Sequence, residues 1–363
     1  MGKLVKGKKV IKVGRKTAKN PRQAKPKIVT VKKITKKKSP APSTLKSIDY
    51  SKFGYDERKY QKHFKGIKLE KYLFGQEVKN KEGSFYLITN TEQIDFPVVN
   101  KESAKNKLYA ELTLIDGIAK LKEKELKTFG YKKIEDLLSH HKFQFKAKEL
   151  LSFIDNHDGH SIHKWVRRRN DYPKYNTAGF SVSSFFNPED FIVIDLETLG
   201  FNSPAFLIGI GYMRDGKFNV DQLLARDLDE EGAIFFHLKD YLKGKNALLT
   251  YNGASFDVPL IKSRANSLGI DLLIDHAHFD MYYFCKRAFD GVCYDYKLKT
   301  LESEILGHHR RGDVPGFLVP SFYSAYMSTG NIGTVIPIID HNKQDIITTF
   351  KLFEYLHLKE VSF

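Results

Sequence analysis

The sequence predicts an α/β protein: a mixed β-sheet flanked by helices, preceded by a small helical N-terminal module and a disordered basic tail. Three observations carry this. From Asn187 onward, short apolar runs of strand length alternate with helix-length stretches. Arg214-Asp-Gly216 separates two such runs, the signal of a tight hairpin, so the sheet has antiparallel members. The positive charge is confined to the start: the first 48 residues hold 15 lysines and two arginines, and the first acidic residue is Asp49.

The net charge of +17 therefore belongs wholly to that tail, and the rest of the chain is balanced. A run of like charge with Pro, Thr and Ser and little aromatic content cannot collapse, so residues 1–48 are expected to be disordered. A polyanion is its natural partner, because neutralised phosphates release counterions. Hydrophobic residues make up 41% of the chain, enough for a sizeable core. No apolar run reaches the roughly 18 residues that a membrane-spanning helix needs, and no secretory h-region is visible. Lys6 stands where a myristoylation signal needs Ser or Thr. Two cysteines, Cys285 and Cys293, make neither a disulfide framework nor a zinc site. These points predict a cytoplasmic protein, with nucleoid or ribosome association open.

Residues 49–108 read as a small mixed segment with one clear strand, Gly83 to Asn90, read as structural. Residues 109–152 read as helical, with apolar positions at Leu112, Leu114, Ile115, Ile118, Leu121, Leu126, Ile134, Leu137 and Leu138. The stretch around Leu114-Ile-Asp-Gly-Ile118 resembles a helix-hairpin-helix, in which a glycine turn lets backbone N–H groups approach phosphate. Ala119 replaces the second glycine and Glu123 the usual small residue, so a bracing module is the alternative. Residues 153–187 read as an irregular connector. Within it Trp165, with Arg167, Arg168 and Arg169, is read either as a stacking platform for a single strand or as a core anchor.

The domain at 188–363 opens with Phe191-Ile-Val-Ile194, an apolar strand ending at Asp195. Ala205 to Tyr212 and Lys217 to Ala225 form the hairpin, Glu230 to Leu242 a helix, Ala247 to Tyr251 a strand and Phe256 to Leu268 a helix; the remainder from Asp280 is mainly helical. Asp195 and Glu197 lie two apart, so strand geometry puts both carboxylates on one face. Two like charges that close invite a proton or a metal. Asp257 falls in the first turn of a helix, where a plain capping role is the alternative. His341 and Asp345, four apart at the opening of a long apolar-periodic helix, share one face.

Taken together, Asp195-Leu-Glu197, Asn252-Gly-Ala-Ser-Phe-Asp257 and His341-Asn-Lys-Gln-Asp345 resemble the three motifs of DEDD exonucleases. Asp195-Leu-Glu-Thr-Leu-Gly200, Phe206-Leu-Ile-Gly-Ile-Gly211, His278-Phe-Asp280 and Gly312-Asp-Val-Pro-Gly316 make the chain similar to the YprB-like RNase H-like family, over roughly residues 188 to 358. The spacing from His341 to Asp345 differs from that of most DEDD enzymes, which place His five, or Tyr four, residues before the last Asp.

The resemblance implies an RNase H-like fold and a metal-dependent exonuclease with 3′ to 5′ polarity, acting on single-stranded RNA or DNA ends. It implies two divalent ions, Mg²⁺ or Mn²⁺, since hard carboxylate oxygens select these over zinc. Asp195 is the expected bridging ligand, with Glu197 and Asp345 on one ion and Asp257 on the other. His341 is the expected water-activating base. Asn252, Gly253, Arg310 and Arg311 are the expected substrate contacts. A catalytically silent nucleic-acid-binding scaffold and an RNase H-type endonuclease are the alternatives.

Overall fold

The computed structural model describes residues 56–97, 99–168, 176–201, 203–310 and 313–359. The basic tail expected at 1–48, together with Arg169, Arg311 and Gly312, lies outside the described residues.

One seven-stranded sheet organises the described chain: β1 (Gly75–Asn80), β2 (Gly83–Glu92), β3 (Phe191–Thr198), β4 (Ala205–Arg214), β5 (Lys217–Leu224), β6 (Ala247–Thr250) and β7 (Ala277–Asp280), in the order β1-β2-β5-β4-β3-β6-β7. β3, β4 and β5 form an antiparallel meander. The turn between β4 and β5 has positive φ at Asp215 (51°) and Gly216 (70°), as the Asp-Gly signal predicts. β6 and β7 then add in parallel beyond β3. Strand β4 is buried from Ala205 to Met213, so helices cover both of its faces. Helix α13 (Ile336–Leu358) packs across β3, β4 and β5, while α8 (Glu231–Leu242) packs on β1, β2 and β4. The α/β mixed-sheet expectation holds.

Two parts of the expected organisation change. Residues 49–108 do not form a separate small segment, because β2 pairs with β5 along its length, from Tyr86↔Leu224 to Glu92↔Phe218. The hairpin β1–β2 thus extends the same sheet. Its outer strand, Gly-Gln-Glu-Val-Lys-Asn, is exposed on both faces for half its length and carries no apolar alternation to read. The connector at 153–187 is not irregular either. It contains α6 (Gly159–Arg167), α7 (Thr177–Ser181) and a 3₁₀ turn at Val182–Phe185. Ile162, Trp165 and Val166, spaced three and four apart, are buried along one side of α6. His163 and Lys164 between them, and the arginines that follow, disguised a short amphipathic helix.

Trp165 is a core anchor. It is 4% exposed, and its Nε1 donates to the Leu114 carbonyl at 2.9 Å. The Arg168 guanidinium lies 3.3 Å from its ring centroid and pairs with Asp116 at 2.7 Å, so that arginine is spent locally. Between 109 and 152 the chain forms a 3₁₀ turn at Leu112–Leu114, α4 (Lys120–Thr128), a second 3₁₀ turn at Ile134–Ser139 and α5 (Gln144–Asp155). Seven of the apolar positions read there are buried; Leu121 and Leu138 are exposed. Those buried residues are continuous with the core around the sheet, through Phe186 and Phe191 to Phe353. The helical module and the sheet therefore share one hydrophobic cluster. Among the described residues no helix is long and apolar enough to cross a membrane.

Replacing Trp165 with Ala removes a buried ring and the donor to Leu114 at once. Urea unfolding is expected to show a loss of about 3–5 kcal/mol. A loss under about 1 kcal/mol would mean that the ring is not part of the core.

Candidate active site

The C-terminal end of β3 delivers Asp195 and Glu197 to one face of the strand, just before a register shift between Glu197 and Thr198. The strand continues through Thr198 rather than ending at Asp195. Asp257 is the first residue of α9 (Asp257–Ser267), and its Oδ1 accepts the Leu196 N–H at 3.1 Å, tying the start of the helix to β3. These three carboxylates line an open cleft with about 1130 Å³ of empty space, whose walls include Asn252, Phe201 and Phe256. The two phenylalanines are unusually exposed for their size, 82% and 55%.

Asp345 comes from α13, one turn after His341 in the second and third turns of that helix, rather than at its opening. The Oδ2 of Asp345 lies 3.5 Å from His341 Nε2, and its Oδ1 lies 2.5 Å from Arg310 Nη1. His341 Nδ1 is held at 2.7 Å by Asp313 Oδ1.

Several residues to which sequence reasoning assigned no role build the site. Asn342, fully buried, donates from Nδ2 to Asp195 Oδ2 at 2.8 Å and accepts at Oδ1 from Gln222 Nε2 at 2.9 Å. Gln222 also donates to the Ile339 carbonyl. A Cβ at Gly209, opposite Asp195 on β4, would collide with the Asn342 amide, so the glycine is there for close approach. Asp280, at the end of β7, accepts the N–H groups of Asn252 (2.7 Å) and Ala254 (2.9 Å). It thereby fixes the turn before Asp257, where Asn252 has φ of +63°. Gly253 is buried against Thr250 with no room for a Cβ, which makes it a packing residue of that turn. Arg310, predicted to face the substrate, is turned inward: its side chain is 6% exposed and bound to Glu302 and Asp345.

The electrostatics follow from burial. Desolvation, then the charges of Asp345, Glu197 and Asp257, hold the Asp195 carboxyl well above the usual range. Burial pushes Glu197 up to about 8 and Asp257 up to about 7, the latter despite the Leu196 N–H. His341 is pushed up to about 10: burial opposes the charge, but Asp345 and the hydrogen bond to Asp313 outweigh it. It is therefore imidazolium while the carboxylates are unbalanced, not the neutral base that an unperturbed histidine would be.

The donor chemistry fits a hard divalent cation: carboxylate oxygens, buried, in electrostatic excess, with Asp345 Oδ1 lacking any hydrogen bond. As placed, no three such groups converge tightly enough to hold an ion among the described residues. Asp345 is engaged by Arg310 and His341, and Asp195 by Asn342.

Residues 192–357 match the RNase_H superfamily model. That segment is similar to RNase H superfamily domains. The chain is also similar to the uncharacterized protein YprB of Bacillus subtilis (strain 168), 25% identical over 214 residues, which supports the YprB-like assignment. That match covers 56% of this chain and 51% of YprB, so the chain spans about half the length of this relative. Among solved structures, the family B DNA polymerase of the hyperthermophilic archaeon Pyrobaculum calidifontis matches at 17% identity and a TM-score of 0.36, covering 46% of this chain and 24% of the polymerase.

The raised carboxylates set a sign for stability. The unfolded chain releases these protons in the ordinary carboxylate range, whereas the folded chain holds them up to about 7 and 8. The folded state binds more protons in that window, so these groups make stability fall as pH rises through it. Asp195→Asn without divalent ions is expected to melt higher than wild type near pH 8, with the gain shrinking toward about pH 5. A lower melting temperature near pH 8 would contradict the reading.

Gly209→Ala should drive Asn342 off Asp195. We expect a loss of about 1–3 kcal/mol in chemical denaturation, with Mn²⁺-induced thermal stabilisation abolished. Retained stabilisation by Mn²⁺ would show that Asp195 does not depend on that amide.

Proposed function

We propose that the chain is a divalent-metal-dependent exonuclease, hydrolysing phosphodiester bonds from single-stranded RNA or DNA ends with 3′ to 5′ polarity. One observation carries this: Asp195, Glu197 and Asp257 are buried together on an open cleft, with Asp345 close enough to raise Asp195. Such excess negative charge is tolerable in the interior only with retained protons or a counter-charge, and a divalent cation supplies the latter.

Asp195, Glu197, Asp257 and Asp345 would hold Mg²⁺ or Mn²⁺, which when bound supplies Lewis-acid activation of the phosphoryl group and of water. Two ions are the expected complement. The chain's own contribution begins with placement. Asn342 and Gln222 hold Asp195, and Asp280 holds the turn that leads into Asp257. Asp313 fixes one ring nitrogen of His341, leaving Nε2 to orient the attacking water. His341 becomes a base once the charge of Asp345 is balanced, because that carboxylate is the largest influence holding its proton. Phe201 and Phe256 offer exposed rings beside the carboxylates, suited to stacking unpaired bases, which favours single-stranded ends over a duplex. The basic tail would add backbone affinity without sequence preference, and the helical module, with Gly117 at φ +90°, is a further candidate for phosphate contact.

A silent nucleic-acid-binding scaffold is the second reading. The observation favouring it is that the potential ligands do not converge as placed.

Single-stranded RNA and DNA labelled at either end, incubated with Mg²⁺ or Mn²⁺, separate these readings. We expect a ladder growing from the 3′ end, absent with EDTA and with Asp195→Ala. Binding without cleavage by folded protein under either metal would support the scaffold, and cutting of a circular strand would support an endonuclease.

A further inference from the structure

Arg310 lies on the loop between α11 (Leu298–Glu304) and α12 (Val319–Thr329), yet its guanidinium is among the most deeply placed charges in the molecule. It holds two carboxylates in different ways. Toward Glu302, itself 1% exposed, Nε donates to Oε2. Toward Asp345, Nη1 lies 2.5 Å from Oδ1 in an ion pair. The remaining Nη2 is buried and makes no hydrogen bond. Asp313 Oδ2 is 3.7 Å from Nη1, too far to satisfy it.

We propose that Arg310 is a built-in, displaceable counter-cation for the metal site: it occupies Asp345 when no metal is bound and must yield that carboxylate before a divalent ion can take it. This rests on the reading of Asp345 as a metal ligand. Three features argue for displacement rather than permanent support. The guanidinium is not fully satisfied where it sits, because Nη2 is buried and makes no hydrogen bond. The anchor on Glu302 is independent of Asp345; Glu302 is itself held by Gln344 Nε2 at 3.1 Å. Releasing Asp345 therefore leaves the arginine paired. Finally, the arginine comes from a loop rather than a helix or strand, so a small shift needs no repacking of the sheet. A divalent ion taking the Oδ1 lone pair that faces Nη1 would sit against the guanidinium charge, so the two compete for that position. The convergence of ligands that the metal-free site lacks is what removal of the latch would permit.

The test is Mn²⁺ titration of the full chain by calorimetry, with thermal melting alongside, for wild type, Arg310→Gln, Arg310→Lys and Asp345→Asn. Arg310→Gln should bind Mn²⁺ about three- to tenfold more tightly, tenfold corresponding to about 1.4 kcal/mol. It should also melt lower than wild type without metal and gain more on adding it. Lysine keeps the charge but lacks a planar fork that can span Glu302 and Asp345, so it should fall between; it also serves if the glutamine variant folds poorly. Mn²⁺ affinity that is unchanged or weaker in both arginine variants, with Asp345→Asn still impaired, would overturn the latch alone. Wild-type affinity in Asp345→Asn, or no Mn²⁺ binding by any form, would remove the metal-ligand reading on which the latch rests, and the latch with it.

Discussion

The Asn342 amide holds Asp195, and the rest of the architecture is arranged to bring these two side chains together. Asp195 leaves β3 at the middle of the sheet, and Asn342 arrives from α13, nearly 150 residues later in the chain. For the two to touch, α13 must lie close over β4. Gly209 and Gly211 make that possible, since a Cβ at either would strike Asn342 or Ile346. Gln222 on β5 then orients the amide so that its nitrogen, not its oxygen, faces the carboxylate. Three neighbouring strands and one helix are thus committed to a single hydrogen bond.

The same arrangement creates an electrostatic cost that the chain meets in two ways. Part of the charge is removed by protons, which burial retains on Asp195, Glu197 and Asp257. The other part is balanced by cations the chain supplies itself, His341 on one oxygen of Asp345 and Arg310 on the other. Were a divalent ion to bind these carboxylates as proposed, it would displace protons, so its affinity would depend on pH.

How much of this was legible follows from what each residue does locally. Asp195, Glu197 and Asp257 stand where a strand ends or a helix begins, and such junctions are visible in the pattern of apolar residues. The β4–β5 hairpin announced itself through Asp215-Gly216. Asn342 and Gln222 did not, because a buried amide is spelled the same way as an exposed one. The signal for Asn342 existed: it shares the apolar stripe of Ile338, Ile339 and Ile346, a polar residue at a core position. Asp280 and Arg310 required the tertiary structure, since each acts on a turn or helix far along the chain. β1 was hidden by its polar, edge-strand composition, and α6 by the basic residues between Ile162, Trp165 and Val166. The 3.6-residue period overcalled Leu121, on the exposed side of the first turn of α4, and Leu138, which falls in the 3₁₀ turn at 134–139 rather than in an α-helix.

The central claim is that these buried carboxylates are a metal site held in register by Asn342. The most direct measurement is anomalous diffraction from crystals grown with Mn²⁺ near pH 8, where the carboxylates lose their protons. The account predicts Mn²⁺ density in contact with Asp195, shared with Glu197, Asp257 or Asp345, and Asn342 still on Asp195. Well-ordered crystals with no Mn²⁺ at these side chains under saturating metal would contradict it.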